Sequence, residues 1–251
     1  MRSIQVTSKN MVRLAILMSG GGTTMESIVR ACDIDGPLFG KILPVVVISD
    51  RACGGLAKAK KLGVPTAMVT RPISSDGKEL LEIFDTFYPD VVSQNGWLSK
   101  TPLTVIRKFE RNIYNQHPAP LDPENKGSDG KSLNFGGKGI FGKAAHASVL
   151  EFQRLSGRVF PTEASIHRVT EQFDEGEVVA RRVVNIILGD TVESLSRRML
   201  PIEHDLQIEF LKNVYDGRVK ALVRKNPLIR ASEEQLLEKA KKIATTLYPH
   251  G

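Results

Sequence analysis

The strongest constraint on this chain is an alternation, repeated along its first half, of short apolar runs and helix-like segments divided by glycine and polar turns. Val12 to Met18 is an apolar run closed by Ser19-Gly20-Gly21-Gly22, and it reads as a buried first strand. Thr23 to Val29 then starts a helix, with Glu26 three residues after Thr23 in capping-box order. Further strands are expected over Lys41–Ser49, Thr66–Thr70, Asp90–Gln94 and Arg111–Gln116, separated by helices over Gly54–Leu62, Asp76–Phe87 and Thr101–Phe109. This rhythm specifies an α/β fold, a mostly parallel twisted sheet with helices on both faces. Ligands in such sheets sit beyond the strand C-termini, where Gly20–Thr24, Asn95–Lys100 and Asn115–His117 all fall.

Pro123 to Gly139 breaks the rhythm, being polar and carrying five glycines. Because it follows directly on His117-Pro118, it reads as a mobile flap over the site, spanning about residues 122–140. A helix is expected over Phe141–Leu155, a strand over Ser165–Val169, and one or two strands over Val178–Leu188. Thr191–Val214 reads as a helix with a kink at Pro201, and Ser232–Leu247 as an amphipathic helix packing on the core or on a partner chain. The expected organisation is a disordered lead at residues 1–10, one domain over 11–220 and a helical extension over 221–251.

At 251 residues and 41% hydrophobic content the chain can bury a substantial core. Cys32 and Cys53 form no disulfide framework and no zinc-like cluster, so a reducing, cytoplasmic setting and no metal are expected. The first residues lack the apolar region of a signal peptide, and no stretch approaches the roughly 18 apolar residues of a membrane span, so no membrane association is expected. The net charge of +7 fits nucleic acid, an anionic metabolite or a solvated basic surface. With aromatic residues at 6% and not interleaved with the basic ones, a phosphate-bearing small molecule is favoured over nucleic acid.

Two stretches carry chemistry. In Asn112-Ile113-Tyr114-Asn115-Gln116-His117-Pro118, extended backbone sends Asn115 and His117 to one side, because the strand period is two. An amide donor then stands beside an imidazole that exchanges protons near neutral pH, the pair that addition to a carbonyl needs. The plainer alternative is that His117 caps a strand and bonds a nearby carbonyl. In the second stretch, the glycines and the helix start at Gly20–Thr24 turn free N–H groups and the positive helix end toward one point. That makes an anion site or, more simply, a tight strand-to-helix turn.

The glycine loop, Asn-x-His-Pro, Ser165-Ile166-His167 and Asp174-x-Gly176, in this order and with the Gly96-Trp97 turn, resemble the phosphoribosylglycinamide formyltransferases of purine synthesis. The resemblance covers about Val12 to Lys220. It implies a single-domain, Rossmann-like formyltransferase fold and transfer of a formyl group from 10-formyltetrahydrofolate to the amine of glycinamide ribonucleotide. By position, His117 is then the general acid/base, Asn115 the donor to the oxyanion, and Asp174 the carboxylate that raises the His117 pKa and helps relay the proton. Gly21, Gly22, Thr23 and Thr24 match the phosphate-binding loop and Glu203 the ribose contact. Lys78 falls near a basic folate contact, and Leu98, Ser99 and Lys100 match the pterin-pocket segment, with Asn115 counted among the folate contacts as well. Glu203 and Lys78 also read as ordinary surface charges, and Asp174 as a turn former. His167 is expected to be structural, beside the site, and His146 a helix residue near the flap. Glycinamide ribonucleotide and folate are the expected partners, with a monomer or homodimer as the assembly.

Related readings remain in view. Methionyl-tRNA formyltransferase shares the Asn-x-His and the distant Asp but looks to a C-terminal β-barrel, where this chain has about thirty largely helical residues. Formyltetrahydrofolate hydrolase resembles a longer chain with an N-terminal regulatory domain, and a non-catalytic folate or nucleotide binder has no need of the trio. Thr24 stands where the family usually has asparagine, and Pro120–Gly142 is longer and richer in glycine than its usual counterpart. Both departures bear on substrate preference more than on reaction class.

Overall fold

The computed structural model describes residues 10–251, so the expected lead lies, apart from Asn10, outside the described residues. Seven strands form one sheet in the order β3-β2-β1-β4-β5-β6-β7: β1 Val12–Met18, β2 Ile42–Ser49, β3 Thr66–Met68, β4 Val91–Gln94, β5 Ile113–His117, β6 Thr162–Arg168 and β7 Val178–Val184. The pairings from β3 through β5 are parallel, whereas β5–β6 and β6–β7 are antiparallel. Among the described residues there are seven α-helices, the first five connecting successive strands and the last two following β7: α1 Thr23–Ala31, α2 Gly54–Lys61, α3 Lys78–Phe87, α4 Leu103–Phe109, α5 Lys143–Ser156, α6 Val192–Asp216 and α7 Glu234–Leu247.

β1 is central, and its side chains divide by parity as a strand buried on both faces requires. Leu14, Ile16 and Met18 join Met25 and Ile28 of α1 and Leu195, Met199 and Phe210 of α6. Ala15 and Leu17 join Leu80 and Phe84 of α3 and Val105 and Phe109 of α4. A third core lies beyond the antiparallel edge, where Phe135 meets Val149 and Phe152 of α5, Ile229, and Leu237 and Ala240 of α7.

Two local readings are corrected. Thr23 and Glu26 form no capping box: the N-cap of α1 is Gly22 in a left-handed conformation (φ 65°), and no side chain caps the helix. Glu26 is drawn away by Arg30 at 2.9 Å and Lys58 at 3.1 Å. The expected helix is found as α6, which carries Pro201 inside its 25 residues, the proline leaving the carbonyl of exposed Arg197 without its helical donor. The segment read as a flap is tied down along its first half. Asn125 donates to the Ile229 carbonyl at 2.8 Å, Leu228 N–H donates to Asp122 at 2.8 Å, and Ser128 bonds Glu234 at 2.9 Å. Leu133 and Phe135 are buried because α5 and α7 give them an apolar wall, which a solvated flap would lack.

Candidate active site

The strand order reverses between β1 and β4, so the loops leaving their C-terminal ends diverge and open a crevice. A cleft of about 680 Å³ occupies it. Its wall includes Gly20–Thr24 after β1, Asn95–Leu98 after β4, Asn115–Pro118 at the end of β5, Gly137–Lys143, Asp174, and Ser196, Leu200 and Glu203 of α6. A side pocket of about 50 Å³ adjoins it, lined by Trp97, Ser99, Lys100, Asn115, His167 and Asp174 among others.

The antiparallel register of β5 and β6 sets Asn115 opposite His167 and His117 opposite Ser165. His117, 3% exposed, donates from Nε2 to the Phe135 carbonyl at 2.7 Å, since a carbonyl can only accept. Its Nδ1 therefore carries the lone pair in the neutral ring and faces Asp174 Oδ2 at 3.8 Å. The plain reading of His117 and the chemical one thus describe two nitrogens of one ring. His167 donates from Nδ1 to the Arg168 carbonyl at 2.8 Å, which leaves its Nε2 to accept from the Asn115 amide at 3.1 Å. Asp174 Oδ1 lies 3.2 Å from that same Nε2. Sequence reasoning set His167 beside the site, and the fold makes it the link between Asn115 and Asp174.

Asp174 sits in the left-handed region (φ 58°), and Gly137 N–H donates to its Oδ2 at 2.8 Å. The approach requires Gly136, where a Cβ would lie 2.6 Å from that of Asp174. Burial alone would raise the Asp174 pKa, but His117, His167 and the Gly137 N–H together hold it below the usual carboxylate range. For His117, burial lowers the pKa, with Asp174 and then the Phe135 carbonyl opposing. A proton arriving at Nδ1 thus meets a carboxylate that is already ionised.

At the other side of the cleft, Gly22 allows the turn into α1: besides its positive φ, a Cβ there would sit 2.9 Å from both Gly55 Cα and Met18 Sδ. Glu203 is 9% exposed rather than on a solvated helix face, and Gln116 donates to it at 2.8 Å. Burial raises its pKa to about 7, against the lowering effect of Gln116. Leu98 reaches the cleft, whereas Ser99 and Lys100 reach the side pocket, with Ser99 also donating to Asp50 at 2.6 Å. Lys78 is not brought to either cavity; at the start of α3 its side chain is 74% exposed and lies 3.9 Å from Glu82.

Sequence reasoning missed Gln116, which strand parity sends away from Asn115 and His117, and it did not foresee His146 in the wall. His146 is buried, with Nδ1 unpartnered, and burial followed by the charge of His117 pushes its pKa down to about 4. Among the described residues no group of three or more His, Cys, Asp or Glu is placed to hold a metal ion, and no helix is long and apolar enough to cross a membrane.

Residues 12–211 match the formyl transferase family. The chain belongs to that family. Among its formyl transferase relatives is the chloroplastic phosphoribosylglycinamide formyltransferase of Arabidopsis thaliana, 33% identical over 224 residues, covering 87% of this chain and 70% of that protein. A crystal structure of phosphoribosylglycinamide formyltransferase from Brucella melitensis superposes with a TM-score of 0.66 at 30% identity, over 85% of this chain and all (100%) of that one. Glycinamide ribonucleotide transformylase 1 from Symbiobacterium toebii gives a TM-score of 0.65 at 29% identity, over 86% of this chain and 92% of the other. The fold expected from the sequence is therefore the family's.

Proposed function

We propose that this protein transfers the formyl group of 10-formyltetrahydrofolate to the amine of glycinamide ribonucleotide, in purine biosynthesis. The observation that carries the reading is the meeting of Asn115, His117 and Asp174 on one cleft whose far side is the uncapped start of α1. The phosphate is received by the N–H groups of Gly21, Gly22, Thr23 and Thr24 at the positive end of α1, and the ribose by Glu203. The folate lies toward Leu98, Ser99 and Lys100, with Lys78 left for its outer, charged part.

In the reaction the substrate amine adds to the formyl carbon, and the carbonyl oxygen takes up the negative charge. The Asn115 amide donates to that oxyanion as it forms, once it turns from His167. His117 accepts the proton lost by the amine at Nδ1, where Asp174 stabilises the imidazolium, and returns it to the leaving nitrogen of the folate. The C–N bond to the folate breaks as the carbonyl reforms. The nucleophile is the substrate's own amine, so no protein nucleophile is needed.

The proposed substrates are small molecules, and the assembly is proposed to be a monomer or homodimer without nucleic acid. Two unpaired cysteines support a reducing compartment, taken here as the cytoplasm, although the Arabidopsis relative is chloroplastic. The deciding experiment follows absorbance of a 10-formyl folate with and without glycinamide ribonucleotide. Turnover that requires the ribonucleotide is expected. Turnover without it would make water the acceptor, and no turnover in either case would overturn the reading.

A further inference from the structure

The family match ends at residue 211, yet the chain beyond it is wound into the active site. The strap leading to α7 and α7 itself contact the loop after β5 from Leu121 to Lys143. Arg224 donates to the Leu121 carbonyl at 3.1 Å while pairing with buried Glu163. Leu228 and Ile229 bond Asp122 and Asn125, and Glu234 holds Ser128. Leu237 and Ala240 pack in the same cluster as Phe135. Past α7, Tyr248 lies 5.9 Å from Lys143 Nζ, and Gly251 abuts Gly142, where a Cβ would meet its backbone at 3.0 Å.

Of these contacts, the cluster of Leu237 and Ala240 with Phe135 reaches a three-residue stretch that serves both members of the acid–base pair. The Phe135 carbonyl accepts from His117 Nε2, and the Gly137 N–H donates to Asp174 Oδ2. The Phe135 carbonyl, which can only accept, is what assigns the proton of the neutral His117 ring to Nε2. If Phe135 moved away, the ring could hold its proton on either nitrogen and the base would be lost for part of the time.

We infer that the extension, residues 221–251, is a positioning element of the active site: by packing on Phe135 it keeps His117 in the Nε2–H form, with Nδ1 free to take the proton. The inference rests on the proposed role of His117. Leu237 and Glu234 are its two separable supports, the first under Phe135 and the second at the surface of the loop.

The test uses the full chain, first assayed as wild type with glycinamide ribonucleotide and the formyl folate. Absence of transfer there would sink the proposed function, whereas NMR of the ¹⁵N-labelled His117 ring needs no turnover and reads the inference separately. Leu237→Ala is expected to lower kcat about 10-fold or more with both KM values within about two-fold, and to weaken or broaden the Nε2–H signal. Leu237→Met should restore both readouts, and Leu247→Ala, on the exposed side of α7, should change neither. If Leu237→Ala does not fold, Glu234→Ala decides alone, since it frees Ser128 without opening the core; about a three-fold fall in kcat with a weakened signal is expected. A folded Leu237→Ala, or in its absence Glu234→Ala, with wild-type kcat and an unaltered Nε2–H signal would overturn the inference.

Discussion

Gln116 donates to the Glu203 carboxyl at 2.8 Å, joining α6 to the strand residue that stands between Asn115 and His117. The two sides of the cleft, one offering a carboxyl and the other the acid–base pair, are thereby held in register through consecutive positions of β5.

Glu203 places function and stability in opposition. Its pKa in the fold, about 7, stands above the ordinary 4.5. Below pH 4.5 both folded and unfolded chains keep the proton and the fold is not penalised; the penalty grows with pH and is complete above about pH 7. Glu203→Gln should therefore raise stability at about pH 8, by up to roughly 3 kcal/mol, and leave it unchanged at about pH 4. The same variant should raise KM for the ribonucleotide. Denaturant melts at the two pH values check the first half; equal effects at both would refute it.

His117→Ala should lower kcat by about 10²-fold or more while folate affinity holds. Steady-state kinetics with a folate-binding titration test this. Undiminished turnover would remove His117 from the chemistry.

Asp174→Asn should move the acid limb of the pH–rate profile to lower pH as well as reduce the rate. The carboxylate opposes the effect of burial on His117, so its loss lowers the His117 pKa further. A slower enzyme with an unmoved profile would leave Asp174 a purely geometric role.

Gly22→Ala should weaken ribonucleotide binding and cost about 1–3 kcal/mol of stability, because the left-handed backbone and the 2.9 Å approaches to Gly55 and Met18 both resist a methyl group. Calorimetric titration with the ribonucleotide, beside a thermal melt, separates the two effects. Wild-type values in both would show that the turn relaxes freely.

The sheet was legible because its signals are local. Leu14–Met18 and Val45–Ile48 are continuous apolar runs, and each is followed by a glycine turn or helix start that closes the unit. The strand period also brought Asn115 and His117 to one cleft. What escaped was long-range. The partner of Asn125 is Ile229, and that of Ser128 is Glu234, roughly a hundred positions away, so no periodicity in either segment announces the other. Polar, glycine-rich composition suggested a solvated loop; Leu133 and Phe135, two apolar residues among those glycines, turn it into a core element once α7 is present. Glu203 lines the cleft, and its burial depends on β5 and α6 packing together, which a helix pattern alone does not reveal.

Between Lys126 and Ser132 the loop makes a small antiparallel bridge, closed by Gly127 N–H donating to the Lys131 carbonyl at 2.8 Å, with Asp129 and Gly130 exposed at its tip. Just downstream, Ser132 N–H donates to Glu175 at 3.1 Å, and lengthening a closed loop costs only about 0.6 kcal/mol for each doubling. The Asp129–Gly130 tip, which is not among the residues lining the cleft, is therefore a graft point suited to carrying a fluorophore or a tethering peptide.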